Sequence, residues 1–162
     1  MFRILTISLA ALALAACQPK PAAPDQSDAS KAYLAKTATE EGVQTLPSGL
    51  QYKVVRSGPS TGLRPQLTDE VKVHYEGKLI DGTVFDSSYE RGQPAAMPLN
   101  RLVQGWQEAL QLMRPGDEWV LYVPPELGYG ADGAGKIPPG AALTFRIELI
   151  DVLPGPGRVQ QG

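Results

Sequence analysis

The sequence holds one histidine and one cysteine in 162 residues. That scarcity excludes whole classes of chemistry. A zinc site built from His and Cys lacks ligands, and a hydrolase triad would have to run through His74. In Val71-Lys72-Val73-His74-Tyr75 the apolar residues alternate toward one strand face, which turns His74 outward beside Lys72 and Glu76. No G-x-x-x-x-G-K-[ST] loop is present, and no G-x-G-x-x-G stands directly after a strand. Nucleotides therefore have no anchor, and neither cofactor nor metal is expected. The charge is nearly balanced, with 15 Lys and Arg against 17 Asp and Glu. No basic patch is interleaved with aromatics, so nucleic acid is not an expected partner.

The N-terminus carries the features of an export signal. Arg3 supplies a positive charge, and residues 4–16 form an apolar run too short to span a bilayer. The run ends in Leu14-Ala15-Ala16-Cys17, which resembles the lipobox of bacterial prolipoproteins. That resemblance implies a signal peptide over residues 1–16, cleavage before Cys17 and lipidation of its sulfur. Gln18 after the cysteine favours the outer membrane. The implied location is the bacterial cell envelope, lipid-anchored and facing the periplasm. Several acyl chains hold a protein on a membrane better than one. The alternative is an ordinary signal peptide with Cys17 incidental. Since Cys17 is the sole cysteine, the fold is expected to stand without a disulfide.

Residues 17–29, rich in Pro and Ala, read as a flexible tether. A short helix is expected over 30–42, with Ser30 as a candidate cap and Gly42 as its stop. Its apolar content is thin, so it is expected to lean on the domain that follows; the alternative is a dimerisation arm. A monomer is the expected state. One domain covers residues 43–153, and a frayed tail covers 154–162. Strand patterns occupy residues 50–55, 70–80, 83–85, 119–123 and 143–149. Asp81-Gly82 predicts a hairpin between the second and third of these. Trp106, Ala109, Leu110 and Met113 fall on one face of a helix, with Asn100 as a candidate cap and Pro115-Gly116 as a stop. Trp119 is expected to face inward and Tyr122 outward. The sum is an α+β arrangement: an antiparallel sheet of about five strands with one helix packed across it.

Five aromatics come from five separate segments: Tyr75, Phe85, Trp106, Tyr129 and Phe145. Side chains drawn from so many elements can converge on one apolar pocket. Read from pattern alone, Trp106 fits plain core, and Tyr75 and Phe145 fit packing on their strands. Asp86 could cap the turn that follows it, and if buried it needs a partner such as Arg91 or the Tyr75 hydroxyl. Tyr129 stands between glycines, a typical place for an exposed loop aromatic.

Val73-His74-Tyr75-Glu76-Gly77, Gly82-Thr83-Val84-Phe85-Asp86-Ser87-Ser88, Gly105-Trp106, Gly128-Tyr129-Gly130 and Ile137-Pro138-Pro139 together resemble the FKBP-type peptidyl-prolyl isomerases. The resemblance runs in order from about Leu46 to Val152. Leu46-Pro47-Ser48-Gly49-Leu50-Gln51-Tyr52 is similar to the bacterial branch that includes the macrophage infectivity potentiators. The family implies a bent antiparallel sheet wrapped around one short helix. It implies Trp106 as the floor under a prolyl ring, with Tyr75, Phe85, Leu102, Val103 and Phe145 as walls. Tyr129 and Ile137 would stand at the rim, the Tyr129 hydroxyl and the Ile137 backbone reaching substrate amides. Asp86 would supply the one carboxylate, paired with Arg91.

The implied activity is cis–trans isomerisation of X–Pro bonds in proline-containing polypeptides, assisting the folding of exported proteins, with macrolides as potential inhibitors. One alternative is a non-catalytic binding module or chaperone that captures proline-containing segments. Another is a lipoprotein spacer. Residues 93–99 carry no aromatic where many relatives place one or two, which leaves one wall of the pocket open.

Overall fold

The computed structural model describes residues 23–156; the signal-like run, Cys17 and residues 157–162 lie outside them. Helix α1 (Ser27–Thr37) comes first. Seven strands follow: β1 (Val43–Thr45), β2 (Gln51–Arg56), β3 (Glu70–Leu79), β4 (Val84–Ser87), β5 (Ala95–Pro98), β6 (Glu118–Val123) and β7 (Leu143–Leu153). Helix α2 (Gln104–Leu110) lies between β5 and β6. The strands form one sheet in the order β1-β2-β6-β7-β3-β4, with β5 beside β4 on the outer edge of β3. Every pairing is antiparallel.

The alternation that marks the strands also assigns their faces. Val71, Val73 and Tyr75 on β3, Leu121 and Val123 on β6, and Leu143, Phe145, Ile147 and Leu149 on β7 are all buried. They join Trp106, Ala109, Leu110 and Met113 of the α2 segment in one core. Gly105 lets the helix approach closely, because a Cβ there would stand 2.8 Å from Val123 Cγ1. Between Lys72↔Asp151 and Val73↔Leu149 the register of β3 and β7 slips past Ile150. Such a bulge bends a strand and increases its twist.

Two strands exceed the expected five. β1 has three residues and β5 four; β1 does not alternate, and β5 alternates only between half-buried and exposed. The Asp81-Gly82 hairpin forms as expected, with Gly82 at φ 87°. Asn100 does not cap α2. It lies in a 3-10 turn (Leu99–Arg101), and the helix starts after Val103 with no side-chain cap. The regular helix ends at Leu110, ahead of Pro115-Gly116, although Met113 stays fully buried.

Helix α1 begins three residues before its expected start and ends at Thr37. Ser30 is therefore an interior residue and not a cap. The helix lies on the sheet face opposite α2, across a row of paired residues: Gln51 opposite Tyr122, and Tyr122 opposite Thr144. Tyr33 hydrogen-bonds Thr144 Oγ1 at 2.8 Å and meets the Tyr122 ring edge-on at 6.2 Å. Thr37 Oγ1 donates to Gln51 Oε1 at 2.6 Å. Tyr122 points outward as expected, yet α1 buries it.

Candidate functional site

Trp106 enters the core in the first turn of α2 and makes T-shaped contacts with two rings. Tyr75 lies 5.1 Å away at 82°, and Phe145 lies 5.2 Å away at 88°. Phe85 meets Phe145 at 5.6 Å and 88°. Edge-to-face pairs match the positive rim of one ring to the negative face of the next, and each contributes about 0.5–1.5 kcal/mol beyond its buried area. The rings hold one another at right angles and leave a cavity of about 290 Å³ between them. Tyr75, Phe85, Asp86, Leu102, Val103, Trp106, Tyr129 and Phe145 all line it.

Consecutive residues of a regular strand face opposite sides of the sheet. Phe85 and Asp86 nevertheless share the cavity, and the register explains how. Gly77 pairs with Asp86, but Lys78 pairs with Val84, so Phe85 is the extra residue of a bulge. Bulges re-aim side chains in this way. Opposite them, Gly77 makes room, since a Cβ there would stand 2.6 Å from Phe85 Cζ and 2.8 Å from Phe145 Cε1.

Asp86 is the cavity's one carboxylate, and it is fully engaged. The Tyr75 hydroxyl donates to Asp86 Oδ2 at 2.5 Å. Arg91 pairs with Asp86 Oδ1 through Nη1, and its Nη2 donates to the Tyr75 hydroxyl at 2.9 Å. Burial pushes the Asp86 carboxyl up, but the Tyr75 hydroxyl and the Arg91 guanidinium together outweigh it and hold the group below the ordinary carboxylate range. Burial, aided by Asp86, raises the Tyr75 hydroxyl above its usual value. Both members of the ion pair are more than a third exposed, so the pair contributes at most about 1 kcal/mol to stability. Its effect is to orient Tyr75 and neutralise the cavity's one carboxylate. Arg91 does not itself line the cavity.

Tyr129 stands at the rim, 40 % exposed, on a loop tied back by Gly130 N donating to Pro125 O at 2.8 Å. Ile137 corrects the expectation placed on it. Its side chain is buried in the core and does not line the cavity. Its N–H donates to Ala134 O at 2.8 Å, and its carbonyl accepts from Ala134 N at 3.0 Å. The backbone N–H is thus occupied and not free for a substrate amide.

Met97 and Arg101 line the cavity without having been anticipated. Met97 pairs with the inward residue Val71, and residues directly opposite in an antiparallel pair share a face. That signal was readable only once β5 was known to exist. His74 lies outside the cavity, with Nδ1 2.9 Å from Ser88 Oγ and its ring stacked on Tyr89. Among the described residues, no three His, Cys, Asp or Glu side chains come together in a metal-binding group.

A family model for the FKBP-type peptidyl-prolyl cis-trans isomerase matches residues 62–150, and one for the domain amino-terminal to it matches residues 9–54. Peptidyl-prolyl cis-trans isomerase Mip of Coxiella burnetii is 54% identical over 127 residues, covering 78% of this chain and 54% of that protein. Outer membrane protein MIP of Legionella longbeachae is 46% identical over 122 residues, covering 75% of this chain and 52% of that one. The chain spans about half the length of these relatives. The crystal structure of a peptidyl-prolyl cis-trans isomerase from Pseudomonas syringae superposes with a TM-score of 0.75 at 36% identity, covering 83% of this chain and 100% of that one. The bulge-built aromatic cavity, the ordered motifs and these matches agree: the chain belongs to the FKBP-type peptidyl-prolyl cis-trans isomerase family.

Proposed function

We propose that this chain catalyses cis–trans isomerisation of X–Pro peptide bonds in exported polypeptides. The observation that carries the reading is the cavity itself: four mutually braced rings, a rim tyrosine and one neutralised carboxylate.

The X–Pro bond turns slowly because twisting it costs amide resonance, a barrier of about 20 kcal/mol. No covalent bond changes partners, so no nucleophile is required. The planar amide is strongly dipolar and the twisted one less so. A water-poor aromatic cavity disfavours the planar ground state more than the twisted transition state. Proline suits such a site because its nitrogen brings no hydrogen to leave unsatisfied. Trp106 floors the ring, and Tyr75, Phe85, Leu102, Val103 and Phe145 wall it. The Tyr129 hydroxyl, at the exposed rim, is free to bond a flanking amide. Asp86, Arg91 and the Tyr75 hydroxyl form a fixed dipolar edge that needs no reorganisation as the bond turns.

The same proposal extends to location. Leu14-Ala15-Ala16-Cys17 supports lipid anchoring at Cys17, and the likeness to outer membrane protein MIP of Legionella longbeachae supports the cell envelope. Metabolic labelling with a fatty-acid probe, lost in Cys17→Ala, tests the anchor.

A proline-limited refolding assay tests the activity. Acceleration by the wild-type protein is expected, and a rate unchanged by added protein rejects the reading. A second reading, capture of proline-containing segments without turnover, draws on the wall formed by Met97, where no aromatic stands. Exchange spectroscopy on a short X–Pro peptide separates the two, because a pure binder shifts resonances without speeding cis–trans exchange.

A further inference from the structure

We propose that helix α1 braces the rim of the aromatic cavity, with Ser30 as the positioning residue that carries the contact. The proposal rests on the isomerase reading above. The rim loop runs between β6 and β7 and holds Tyr129. It contains one 3-10 turn (Pro125–Leu127) and one isolated bridge, Ala134↔Ile137. Long connections with so little regular structure are uncommon inside compact domains and are usually either functional or disordered, so what fixes this one matters.

Ser30 reaches that loop from the opposite side of the sheet. Its Oγ donates to Gly140 O at 2.7 Å and accepts from Ala142 N at 2.7 Å. The side chain is 1 % exposed, so neither bond is shared with bulk water. One turn earlier, Gln26 N donates to Pro139 O at 2.9 Å. Gly140 N in turn donates to Gly130 O at 3.0 Å, the residue after Tyr129. A short chain of hydrogen bonds therefore runs from Ser30 through Gly140 to the backbone beside Tyr129. Gly140 permits the approach: at φ 65°, a Cβ there would stand 2.3 Å from Ser27 Oγ and 2.5 Å from Asp25 Oδ1.

The far end of the same helix is fastened to the sheet and not to the loop. Tyr33 bonds Thr144 on β7, and Thr37 bonds Gln51 on β2. Thr37 is also 1 % exposed. The helix is thus anchored to rigid strands at its middle and end and grips the loop near its start. Through it, the stiffness of the sheet adds to the hydrogen bonds the loop makes within itself.

Ser30 and Thr37 provide matched arms for the test. Each is a buried hydroxyl of one helix, but only Ser30 touches the loop. In Ser30→Ala, the KM for a proline peptide is expected to rise about three- to tenfold with kcat little changed, as when ground-state positioning is lost. Amide exchange at Gly133, Ile137 and Gly140 should quicken while amides of β3 and β7 keep their protection. Thr37→Ala should lower the melting temperature comparably and leave KM at the wild-type value. Ser30→Thr, which keeps the hydroxyl beside a hollow lined by Ser27, Leu34 and Pro125, should restore KM.

Equal KM effects in Ser30→Ala and Thr37→Ala overturn the proposal, as does wild-type loop exchange in Ser30→Ala. The wild-type protein supplies a second measurement that survives a misfolded variant. Loop amides should open together with those of α1, as one cooperative unit. Loop amides still protected after those of α1 have exchanged would sink the brace. If the wild type proves inactive, the isomerase reading fails and the exchange data alone judge the brace.

Discussion

Gly77 faces the Phe85 ring so closely that a methyl group on it would stand 2.6 Å from Phe85 Cζ. The bulge at Phe85 and the bare strand at Gly77 are two halves of one device, and the cavity wall needs both. Gly77→Ala must displace Phe85 or Phe145. Overpacking of this kind costs about 1–3 kcal/mol. Thermal denaturation should show the loss, and refolding assays should show a larger fractional drop in activity than the stability change alone explains.

Two tryptophans separate packing from chemistry. Trp106 and Trp119 are both buried, at 4 % and 7 % exposure. Trp106 floors the cavity, whereas Trp119 stacks on Tyr52 at 4.5 Å, outside it. Trp106→Leu should reduce kcat/KM at least about tenfold, while Trp119→Leu should cost stability, about 3 kcal/mol or less, with kcat/KM nearly kept. Equal activity losses would argue that the floor has no special part.

The Asp86–Tyr75 pair fixes the expected pH dependence. Asp86 titrates below its ordinary value in the folded protein. Its contribution to stability is therefore present above the unfolded value of about 3.9 and is lost as pH falls through the folded one. Tyr75 titrates above its ordinary value. Its contribution is complete below about pH 10 and disappears as pH rises through the folded value. Between about pH 5 and 9 neither group changes state, so kcat/KM should be flat there. An inflection inside that window would place a titrating group in the reaction.

Arg101 lines the cavity and is exposed, and no ion pair among the described residues takes up its charge. It should favour an acidic residue beside the proline. In paired peptides with Glu or Lys before proline, Arg101→Glu should shift the preference about two- to fivefold toward Lys, the scale of one exposed ion pair. Raising the salt concentration should shrink the difference.

The strands that cross the core were legible because burial imposes a period of two. Val71, Val73 and Tyr75 on β3, and Leu143 through Leu149 on β7, repeat it without a break. β1 and β5 were not legible, since three or four half-exposed residues cannot establish a period. The cavity's rings were legible through the ordered motifs that resemble the family, since pattern alone reads Trp106 as plain core and Tyr75 and Phe145 as packing. Met97 was missed because its facing depends on a pairing with Val71 that no local pattern announces. That α1 leans on the domain was expected, but the contacts that dock it were hidden for a chemical reason. Ser30 and Thr37 are polar residues on the buried side, satisfied by Gly140, Ala142 and Gln51, so the helix has no apolar stripe to read. Ile137 was misjudged because its N–H is taken by Ala134 within its own loop.

β7 is the last strand in chain order, yet it lies between β6 and β3. During synthesis, β1, β2 and β6 on one side and β3, β4 and β5 on the other emerge first, with no strand pairing between the two groups. Each partial sheet then presents an open edge until residues 143–153 arrive and zip both at once. Such long-range closure is slow and leaves strand edges open to wrong partners. Until that last strand is in place, two sheet edges stay uncovered that β7 alone pairs with in the finished fold.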